Sequence, residues 1–548
     1  MARGRDGTPG RSGVAPPPVA GRTRAEVEQD LLQRLLPVPL ERSWVGWAVA
    51  AGIAAFAAVL RFVHLDRPGR LVFDETYYVK QAYSLLVLGY EGVWAEDWDD
   101  SFAAGNFSGL SAEADYVVHP PLGKWMIAAG MRLVGADSAV GWRIGAAMVG
   151  TLSVFLLVRI ARRLFGSTVL GATAGLLLAV DGTHLVMSRI SILDIFLQFW
   201  ILVAFGALLL DREDYRRRLA RSAAAQLVTH GTYPDAWGPR VGMRWWLLAA
   251  GVAGGLATGV KWSGIYAVAV FGLVAVAWNI SARRAIGVRS WLGAGVLRDG
   301  VPAFLVKVPA AALAYLATWT AWFVNQESYL RRWAEDVNAR SAAPVRAWLP
   351  DAVNSWWEYH VRMWDFHTGL TSEHTYEAHP AGWLVRWRPT SFAWRTVEAE
   401  HGAWEVCDAE RCAAAINSVG NPVIWWGAAL ALLLVLWGAL VGREWRAWAI
   451  LSGYLAGYVP WLLFTERTVF TFYTVAFVPF VVLALTYALA QMVGPATVPL
   501  RYRRAGIWMA AFLVALALAA AAWFWPIWTY QWIPFEVWQW HMLLPSWV

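Results

Sequence analysis

The chain has 548 residues, of which 58% are hydrophobic and only 16% charged. Because soluble domains are about 25% charged, this composition indicates a membrane protein. It excludes an intrinsically disordered chain, a coiled coil and, with two cysteines, a disulfide-rich secreted scaffold. The net charge of +7 would suit a nucleic-acid partner only if the basic residues formed one surface, and their scatter along the chain argues against that.

A polar tail precedes the first apolar run. Thr23 and Glu26 predict a capping box that opens a short helix. The apolar residues of that helix fall on one side and are Leu31, Leu32, Leu35 and Leu36. We expect this amphipathic helix to lie on the cytoplasmic face of the membrane.

Eleven apolar runs predict an all-α polytopic membrane protein with about eleven transmembrane helices. They lie at 44–63, 138–158, 166–180, 192–210, 245–260, 262–280, 301–324, 422–441, 446–464, 469–492 and 505–525. A twelfth run, Trp125–Val134, is too short to span, so we expect it to lie in the interface or to fold back into the protein. The 38 tryptophans agree with this class, since Trp rings concentrate at the membrane–water boundary.

The charges predict an orientation. With a cytoplasmic N-terminus, the cytoplasmic loops would hold 26 of the 46 Lys and Arg but only 11 of the 39 Asp and Glu. This is the positive-inside pattern, and it places the C-terminus outside. The expected parts are a cytoplasmic tail (1–43), seven spans with an external loop at 64–137 (44–324), a large external loop (325–421), four spans (422–525) and an external Trp-rich tail (526–548).

Two adjacent carboxylates, Asp74 and Glu75, follow the first span. Side chains one residue apart on a helix point about 100° apart, so we expect one carboxylate to face a substrate while the other holds a structural partner. The alternative interpretation is that Asp74 only caps the helix that Glu75 begins.

Further charges fall at the external ends of predicted helices, where burial is costly. They are Lys124, Arg143, Arg189, Asp194, Lys261 and Arg467. Basic groups around one or two carboxylates suit an anionic lipid-borne substrate, because cations stabilise a departing phosphate while a carboxylate deprotonates an incoming hydroxyl. Snorkelling of Lys124 and a structural ion pair between Arg189 and Asp194 are the alternative interpretations.

The histidines of the large loop show no metal-binding spacing, so we expect no metal site. Nucleotide-binding motifs are absent as well, and we expect no cofactor. Cys407 and Cys412 lie five positions apart in a loop that would face an oxidising compartment, and we predict a disulfide between them.

Eight motifs in order resemble the polyprenyl-phosphate-mannose-dependent protein O-mannosyltransferases, a family with the GT-C membrane glycosyltransferase architecture. The motifs are Asp74-Glu75, His119-Pro-Pro-Leu-Gly-Lys124, Arg143, Ser188-Arg189 to Asp194, Gly259-Val-Lys261-Trp-Ser-Gly264, His360-x-x-Met363-x-x-Phe366-His367-x-x-Leu370, Gly420-Asn421-Pro422 with Trp425-Trp426, and Arg467 to Tyr473. The likeness covers about residues 42–525. The loop at 325–421 is too short for the MIR domain of the eukaryotic enzymes, so the chain resembles the actinobacterial branch.

The resemblance implies transfer of mannose from polyprenyl-phosphate-mannose to Ser or Thr of exported polypeptides, on the outer face of the cell membrane, by an inverting single displacement. It implies that Asp74 is the base and that Glu75 shapes the acceptor site. We assign Lys124, Arg143, Lys261 and Arg467 to the donor phosphate. We assign substrate positioning to Tyr78, His119, Arg189, Asp194, His360, His367, His374 and Asn421. Membrane lipids and the secretion channel are further expected partners, and nucleic acid is not.

Two alternatives stay open at this stage. A related GT-C enzyme could use the same type of donor with a lipid acceptor, such as the transfer of aminoarabinose to lipid A. A transporter or flippase would also carry polar groups within its spans, but it predicts charges near the midplane and paired broken helices, whereas the unusual charges here fall at one boundary.

Overall fold

The computed structural model describes residues 14–36, 44–340 and 345–548, and in them the chain is a helical polytopic membrane protein. Eight helices of the described part are long and apolar enough to cross a bilayer: Val45–Phe62, Ala139–Phe165, Leu193–His230, Gly264–Ala285, Trp291–Thr318, Pro422–Leu440, Thr471–Val493 and Leu500–Trp528. Two shorter apolar helices are Thr168–Ala179 and Trp245–Val260. The described residues therefore contain about ten candidate spans, where eleven were predicted.

The predicted span at 446–464 is not among these ten, because its helix is short. After this segment the chain still returns to the large loop, where Arg467 contacts His367. The α-helix there is Trp445–Gly457, only 13 residues long, and a 3₁₀ turn at Val459–Leu463 follows it. Pro460 lies in that turn and has no N–H to continue the α-helical hydrogen bonds. The predicted span at 301–324 begins earlier than expected, at Trp291, and passes through a π-helical stretch at Ala294–Gly300.

Shorter helices and strands fill the connections. The helices are Arg24–Leu35, Glu75–Val87, Asp99–Ala103, Leu122–Val134, Gly182–Met187, Thr320–Val324, Trp333–Arg340, Asp351–Gly369, Ala403–Cys407 and Phe535–Trp540, with 3₁₀ turns at Pro380–Val385, Ala399–His401 and Pro545–Trp547. The apolar run at Trp125–Val134 belongs to the helix Leu122–Val134, which packs against Glu75–Val87 and Ala139–Phe165.

The prediction of an all-α protein is corrected, because two small antiparallel sheets lie in the connections between helices. Strands Gly92–Trp94 and Leu110–Ala114 form one. In the other, Ser391–Glu398 pairs with Arg411–Asn417, which pairs with Ile533–Pro534 near the C-terminus. The predicted disulfide between Cys407 and Cys412 is confirmed.

The chain forms two compact units. The larger contains residues 43–203, 253–268 and 311–548. Within it the helix Ala139–Phe165 packs against Val45–Phe62 and Thr168–Ala179, and the helix Val478–Val493 is buried along most of its length. Every residue that we assigned to catalysis, donor phosphate or substrate positioning belongs to this unit.

Of the described residues, the smaller unit contains 14–36, 204–252 and 269–310. Its helix Arg24–Leu35 has the predicted capping box between Thr23 and Glu26. Val27, Leu31 and Leu35 on this helix are buried in a protein core with Tyr215, Leu219, Ala223, Leu227 and Ile286. The prediction that this apolar side lies on the membrane is therefore wrong, since protein covers it. Residues 1–13 and 37–43 of the predicted tail are outside the described residues.

Candidate active site

The adjacent carboxylates of Asp74 and Glu75 have different surroundings. Glu75 is fully buried in the first turn of the helix Glu75–Val87. Its Oε1 accepts hydrogen bonds from the Arg143 Nε (2.9 Å) and the Ser191 backbone N–H (2.8 Å), and its Oε2 accepts from the Arg143 Nη2 (2.8 Å) and the Val72 backbone N–H (3.0 Å). Four bonds occupy the carboxylate, so Glu75 holds the loop in place, which corrects its assignment to catalysis and to the acceptor site.

The contacts of Arg143 also differ from those predicted, which were with the donor phosphate. It is fully buried, and besides the two bonds to Glu75 its guanidinium donates to the carbonyl oxygens of Leu65 (3.3 Å), Pro68 (2.8 Å) and Arg70 (2.9 Å). These bonds engage all five N–H groups that an arginine has. The geometry therefore corrects the assignment: Arg143 fixes the segment that leads to Asp74.

Asp74, unlike Glu75, is not engaged by Arg143 or by the loop backbone. It occupies the N-cap position of the helix, but its side chain makes no capping hydrogen bond, so the interpretation of Asp74 as a simple cap is wrong. Burial raises the pKa of Asp74 to about 6, while Lys261 and a hydrogen bond from Tyr78 oppose the rise. A carboxylate with this pKa is ionised at neutral pH and can accept a proton.

Phe73, the residue before Asp74, has a left-handed backbone with φ of 48°. A side chain larger than Gly is disfavoured there by roughly 1–2 kcal/mol. Its ring contacts four others edge-on, those of Phe392 (5.2 Å between centroids), His374 (5.7 Å), Phe470 (5.7 Å) and Phe472 (5.8 Å). These contacts hold the strained residue, and hence the start of the helix at Asp74, in one conformation.

Lys261 and Asp194 form a buried ion pair, with 2.8 Å between Nζ and Oδ2. The alternative pairing of Asp194 with Arg189 is therefore wrong. The Lys261 Nζ also lies 4.8 Å from the ring centroid of Tyr473. Burial lowers the pKa of Lys261, but Asp194, Tyr473 and Asp74 together outweigh burial and raise it, so the ammonium stays charged.

Arg189 binds the backbone at the end of the first span instead of contacting a substrate. Its Nη1 donates to the carbonyl oxygens of Leu60 (3.0 Å), Arg61 (2.9 Å) and Val63 (2.9 Å), and its Nη2 donates to that of His64 (2.8 Å). The last carbonyls of a helix have no partners within the helix. Arg189 satisfies them, which corrects its assignment to substrate positioning.

Lys124 is 1% exposed and so does not snorkel. Its Nζ lies 2.6 Å from the Glu91 Oε1 and donates to the His119 carbonyl oxygen at 3.1 Å. Because Glu91 neutralises its charge, Lys124 supports the His119 turn and is not placed to bind a phosphate.

A pair of stacked imidazoles lies beside Tyr78. The rings of His119 and His367 are 5.0 Å apart, and that of His119 is 6.1 Å from the ring of Tyr78. Burial and the nearby cations hold the pKa of His119 well below its usual value, and burial lowers that of His367 to about 4. Both rings are therefore neutral at pH 7 and can exchange hydrogen bonds with uncharged hydroxyl groups.

Arg467 adjoins this pair. Its Nη2 is 3.3 Å from the His367 Nδ1, and its guanidinium lies 5.7 Å from the ring centroid of Trp461. Its Nε is buried and has no hydrogen-bond partner among the described residues. No ion pair to Arg467 occurs within that part of the chain, so this cation keeps its predicted capacity for an anion.

The other predicted positioning residues lie in protein contacts. His360 contacts the Tyr315 hydroxyl (2.6 Å) and the Trp356 carbonyl (2.8 Å). His374 is exposed and packs on Phe73. Asn421 is fully buried at the start of the helix Pro422–Leu440, and its Nδ2 donates to the Ala517 carbonyl at 2.8 Å. The assignment of Asn421 to substrate positioning is therefore corrected to a structural role.

The larger unit thus brings together a proton acceptor, cations and neutral hydrogen-bonding rings. These are Asp74, Tyr78, His119, Asp194, Lys261, His367, Arg467 and Tyr473. Glu91 and Tyr473 were missed as partners, although Tyr473 ends a motif noted in the sequence. Chemically, such a group can deprotonate a hydroxyl at Asp74 and stabilise an anionic leaving group at a cation.

Comparison with family descriptions matches two parts of the chain. Residues 118–224 match the family described as dolichyl-phosphate-mannose-protein mannosyltransferase. Residues 352–547 match the C-terminal four-helix transmembrane region of protein O-mannosyltransferase. The first match includes Asp194, and the second includes His367.

Curated relatives align along nearly the whole chain. A polyprenol-phosphate-mannose–protein mannosyltransferase of Mycobacterium tuberculosis is 36% identical over 530 residues, which cover 94% of each chain. The protein of the same name from Corynebacterium glutamicum is 34% identical and covers 84% of this chain and 86% of its own. Among solved structures, the Saccharomyces cerevisiae protein O-mannosyltransferase Pmt1–Pmt2 complex bound to the sugar donor aligns with a TM-score of 0.67 at 16% identity, over 95% of this chain and 94% of that one. That likeness shows the fold.

Proposed function

The chain belongs to the polyprenol-phosphate-mannose–protein mannosyltransferase family, with the GT-C fold, and from this premise we propose that Asp74 is its catalytic base. The reaction is the transfer of mannose from polyprenyl-phosphate-mannose to proteins. Family membership sets aside the alternatives of a lipid acceptor and of a transporter.

The proposal rests on the ion pairing and the pKa of Asp74. Among the site's carboxylates, Glu75 is bonded to Arg143 and Asp194 is paired with Lys261, while Asp74 has no ion pair within the described residues and a pKa of about 6. A hydroxyl is a weak nucleophile at neutral pH and needs a positioned base. In the proposed step the acceptor hydroxyl gives its proton to Asp74, its oxygen forms a bond to C1 of mannose, and the bond from C1 to the phosphate oxygen breaks.

The leaving polyprenyl phosphate keeps the electron pair of that bond, and a cation beside it lowers the barrier. Arg467 is the proposed phosphate ligand, because its buried Nε lacks a partner among the described residues. Lys261 contributes at longer range, since Asp194 already engages its ammonium. A single displacement by the acceptor oxygen inverts the configuration at C1.

Several finer features belong to the same proposal. The acceptors are Ser and Thr residues of exported polypeptides, the N-terminus is cytoplasmic, and the active site and C-terminus face outside. The positive charge of the loops between alternate spans supports this orientation. An outward-facing site acts on chains as they emerge, which makes association with the secretion channel a further hypothesis.

The test uses purified protein, labelled polyprenyl-phosphate-mannose and a Thr-containing peptide. We expect the wild type to label the peptide, and Asp74→Asn to lower kcat about 10²- to 10⁴-fold with little change in donor affinity. Asp99→Asn is the matched control, since Asp99 is a half-exposed carboxylate paired with Lys80 outside the site. Equal losses in the two variants, or a loss of donor binding alone in Asp74→Asn, would refute the assignment.

A further inference from the structure

The helix Asp351–Gly369, here called the loop helix, has a row of large, partly exposed apolar side chains on one side. The Arg346 guanidinium, 5.6 Å from the ring centroid of Trp357, lies at one end of this row. Trp357, Val361 and Trp364 are 50%, 36% and 56% exposed. Their spacing of four and three residues puts them on one side of the helix. We call these three residues the apolar stripe.

The opposite side of the loop helix is fixed within the larger unit. Tyr359 and Met363 are buried in a core with Trp319 and Trp322. The rings of Tyr359 and Trp319 are 5.2 Å apart, and the Tyr359 hydroxyl donates to the Val117 carbonyl at 3.0 Å. Because these contacts fix the rotation of the helix about its axis, the apolar stripe is held outward by packing.

The packing also places the loop helix at the end of a candidate membrane span. Trp319 directly follows the helix Trp291–Thr318, and the last turns of that span expose Leu313 and Leu316. Val324, a few residues further on, is 69% exposed. An apolar surface therefore continues from the side of the span to the level at which the loop helix packs.

We propose that the loop helix lies along the bilayer surface, with the apolar stripe inserted among the lipid headgroups and the first acyl carbons. The indole ring is large and apolar yet has one N–H donor, and Trp is enriched at this layer for that reason. An amphipathic helix with Trp on its apolar side binds the interface in its plane. The exposed surface of the adjoining span is the observation that favours lipid over a soluble partner.

This contact has a consequence for the active site, which rests on the proposed function. The loop helix carries His367, whose Nε2 contacts the Val118 carbonyl at 2.7 Å and whose Nδ1 lies 3.3 Å from Arg467. Lipid contact at Trp357 and Trp364 would hold that histidine, and the cation beside it, near headgroup depth. The phosphate of a lipid-linked donor lies at the same depth.

Depth measurement with a nitroxide label tests the proposal. The chain has two cysteines, and both are in the disulfide, so Val361→Cys can be labelled at a single site without reduction. Trp364→Cys gives a second, independent position on the stripe. Glu113→Cys, on the exposed strand Leu110–Ala114, is the matched control. Each labelled protein is reconstituted into phosphatidylcholine–phosphatidylglycerol vesicles, and its collision rates with oxygen and with a water-soluble nickel chelate are measured.

We expect both stripe labels to collide more with oxygen than with the nickel chelate, at headgroup depth, and the control label to show the reverse. Nickel accessibility at Val361 and Trp364 equal to that at Glu113 would overturn the proposal. Shielding of both stripe labels from both reagents would overturn it too, because a second copy or an acceptor chain would then cover the stripe. Neither outcome depends on catalysis, so this test can fail while the proposed function stands.

Discussion

Replacing Arg143 with methionine tests whether this residue is structural or binds the donor phosphate. Arg143 and Glu75 are both fully buried, and the guanidinium is bonded to the carboxylate through two N–H groups. Arg143→Met leaves Glu75 as a buried charge without its partner and removes the donors to three loop carbonyls. The structure therefore predicts that the fold weakens before donor binding does.

The expected loss is large. Removing one partner of a buried ion pair costs about 3–5 kcal/mol, which corresponds to roughly 150- to 5,000-fold in the folding equilibrium. Replacing both partners avoids the unpaired charge, so Glu75→Leu combined with Arg143→Met should recover part of that loss. Arg411→Met is a matched control, because the pair between Arg411 and Glu398 is half-exposed and such pairs contribute little.

The assay is the fraction of protein that stays monodisperse by size-exclusion chromatography after heating, together with the donor dissociation constant measured well below the transition. We expect Arg143→Met to lose thermal stability, the double variant to regain some of it and Arg411→Met to match the wild type. Wild-type thermal stability in Arg143→Met with at least tenfold weaker donor binding would refute the reasoning, because the guanidinium would then have to contact the phosphate.

Three further predictions concern other groups. Arg467→Gln should raise the donor KM about tenfold or more, with Arg467→Lys intermediate, because a charge-assisted contact to phosphate contributes about 1.5–3 kcal/mol; an unchanged KM in steady-state kinetics would contradict this. Lys124→Met should reduce the yield of folded protein by leaving Glu91 unpaired, and Lys124→Met with Glu91→Gln should restore it; a selective loss of donor affinity would argue for a phosphate role instead. Cys407→Ser with Cys412→Ser should lower stability by about 2 kcal/mol in a thermal melt while turnover at low temperature stays near wild type, and loss of turnover without a change in melting would count against a structural bridge.

Local spacing was enough to predict the divergent roles of the two adjacent carboxylates. Positions one residue apart on a helix face different directions, and the structure accordingly pairs Glu75 with Arg143, while Asp74 forms no ion pair with a described residue. Spacing did not indicate which carboxylate would be structural, since Glu75 was assigned to the acceptor site. The capping box at Thr23 and the disulfide in the large loop were predicted for the same reason, because in each the interacting residues lie within five positions of each other.

Contacts between distant segments could not be predicted from spacing. Lys261 and Asp194 are 67 positions apart, and the alternative pairing considered from the sequence was with Arg189, which is nearer to Asp194 along the chain. Arg143 was assigned to the phosphate because its charge lies at a helix end, yet the loop carbonyls that bind it come from residues 65–70. The pairing of Ile533–Pro534 with a strand of the large loop is of the same kind.

Apolar patterns predicted burial better than they predicted what covers the buried side. Leu31 and Leu35 were correctly placed on the apolar side of a helix, but a protein core covers them and the membrane does not. Likewise, the apolar run at 446–464 predicted one long helix, while Pro460 ends α-helical hydrogen bonding there after Trp445–Gly457. Periodicity identifies an apolar face, and only the fold determines its partner.

The dependence of kcat on pH tests the central claim, that Asp74 takes the proton, most directly. Asp74 must be ionised to act as a base, and its pKa is raised to about 6, so turnover should be low below that pH, rise through it and level off above about pH 7. We predict that Asp74→Asn loses both this rise and about 10²- to 10⁴-fold in kcat. An Asp74→Asn variant that keeps near-wild-type turnover and the same rise near pH 6 would contradict the account.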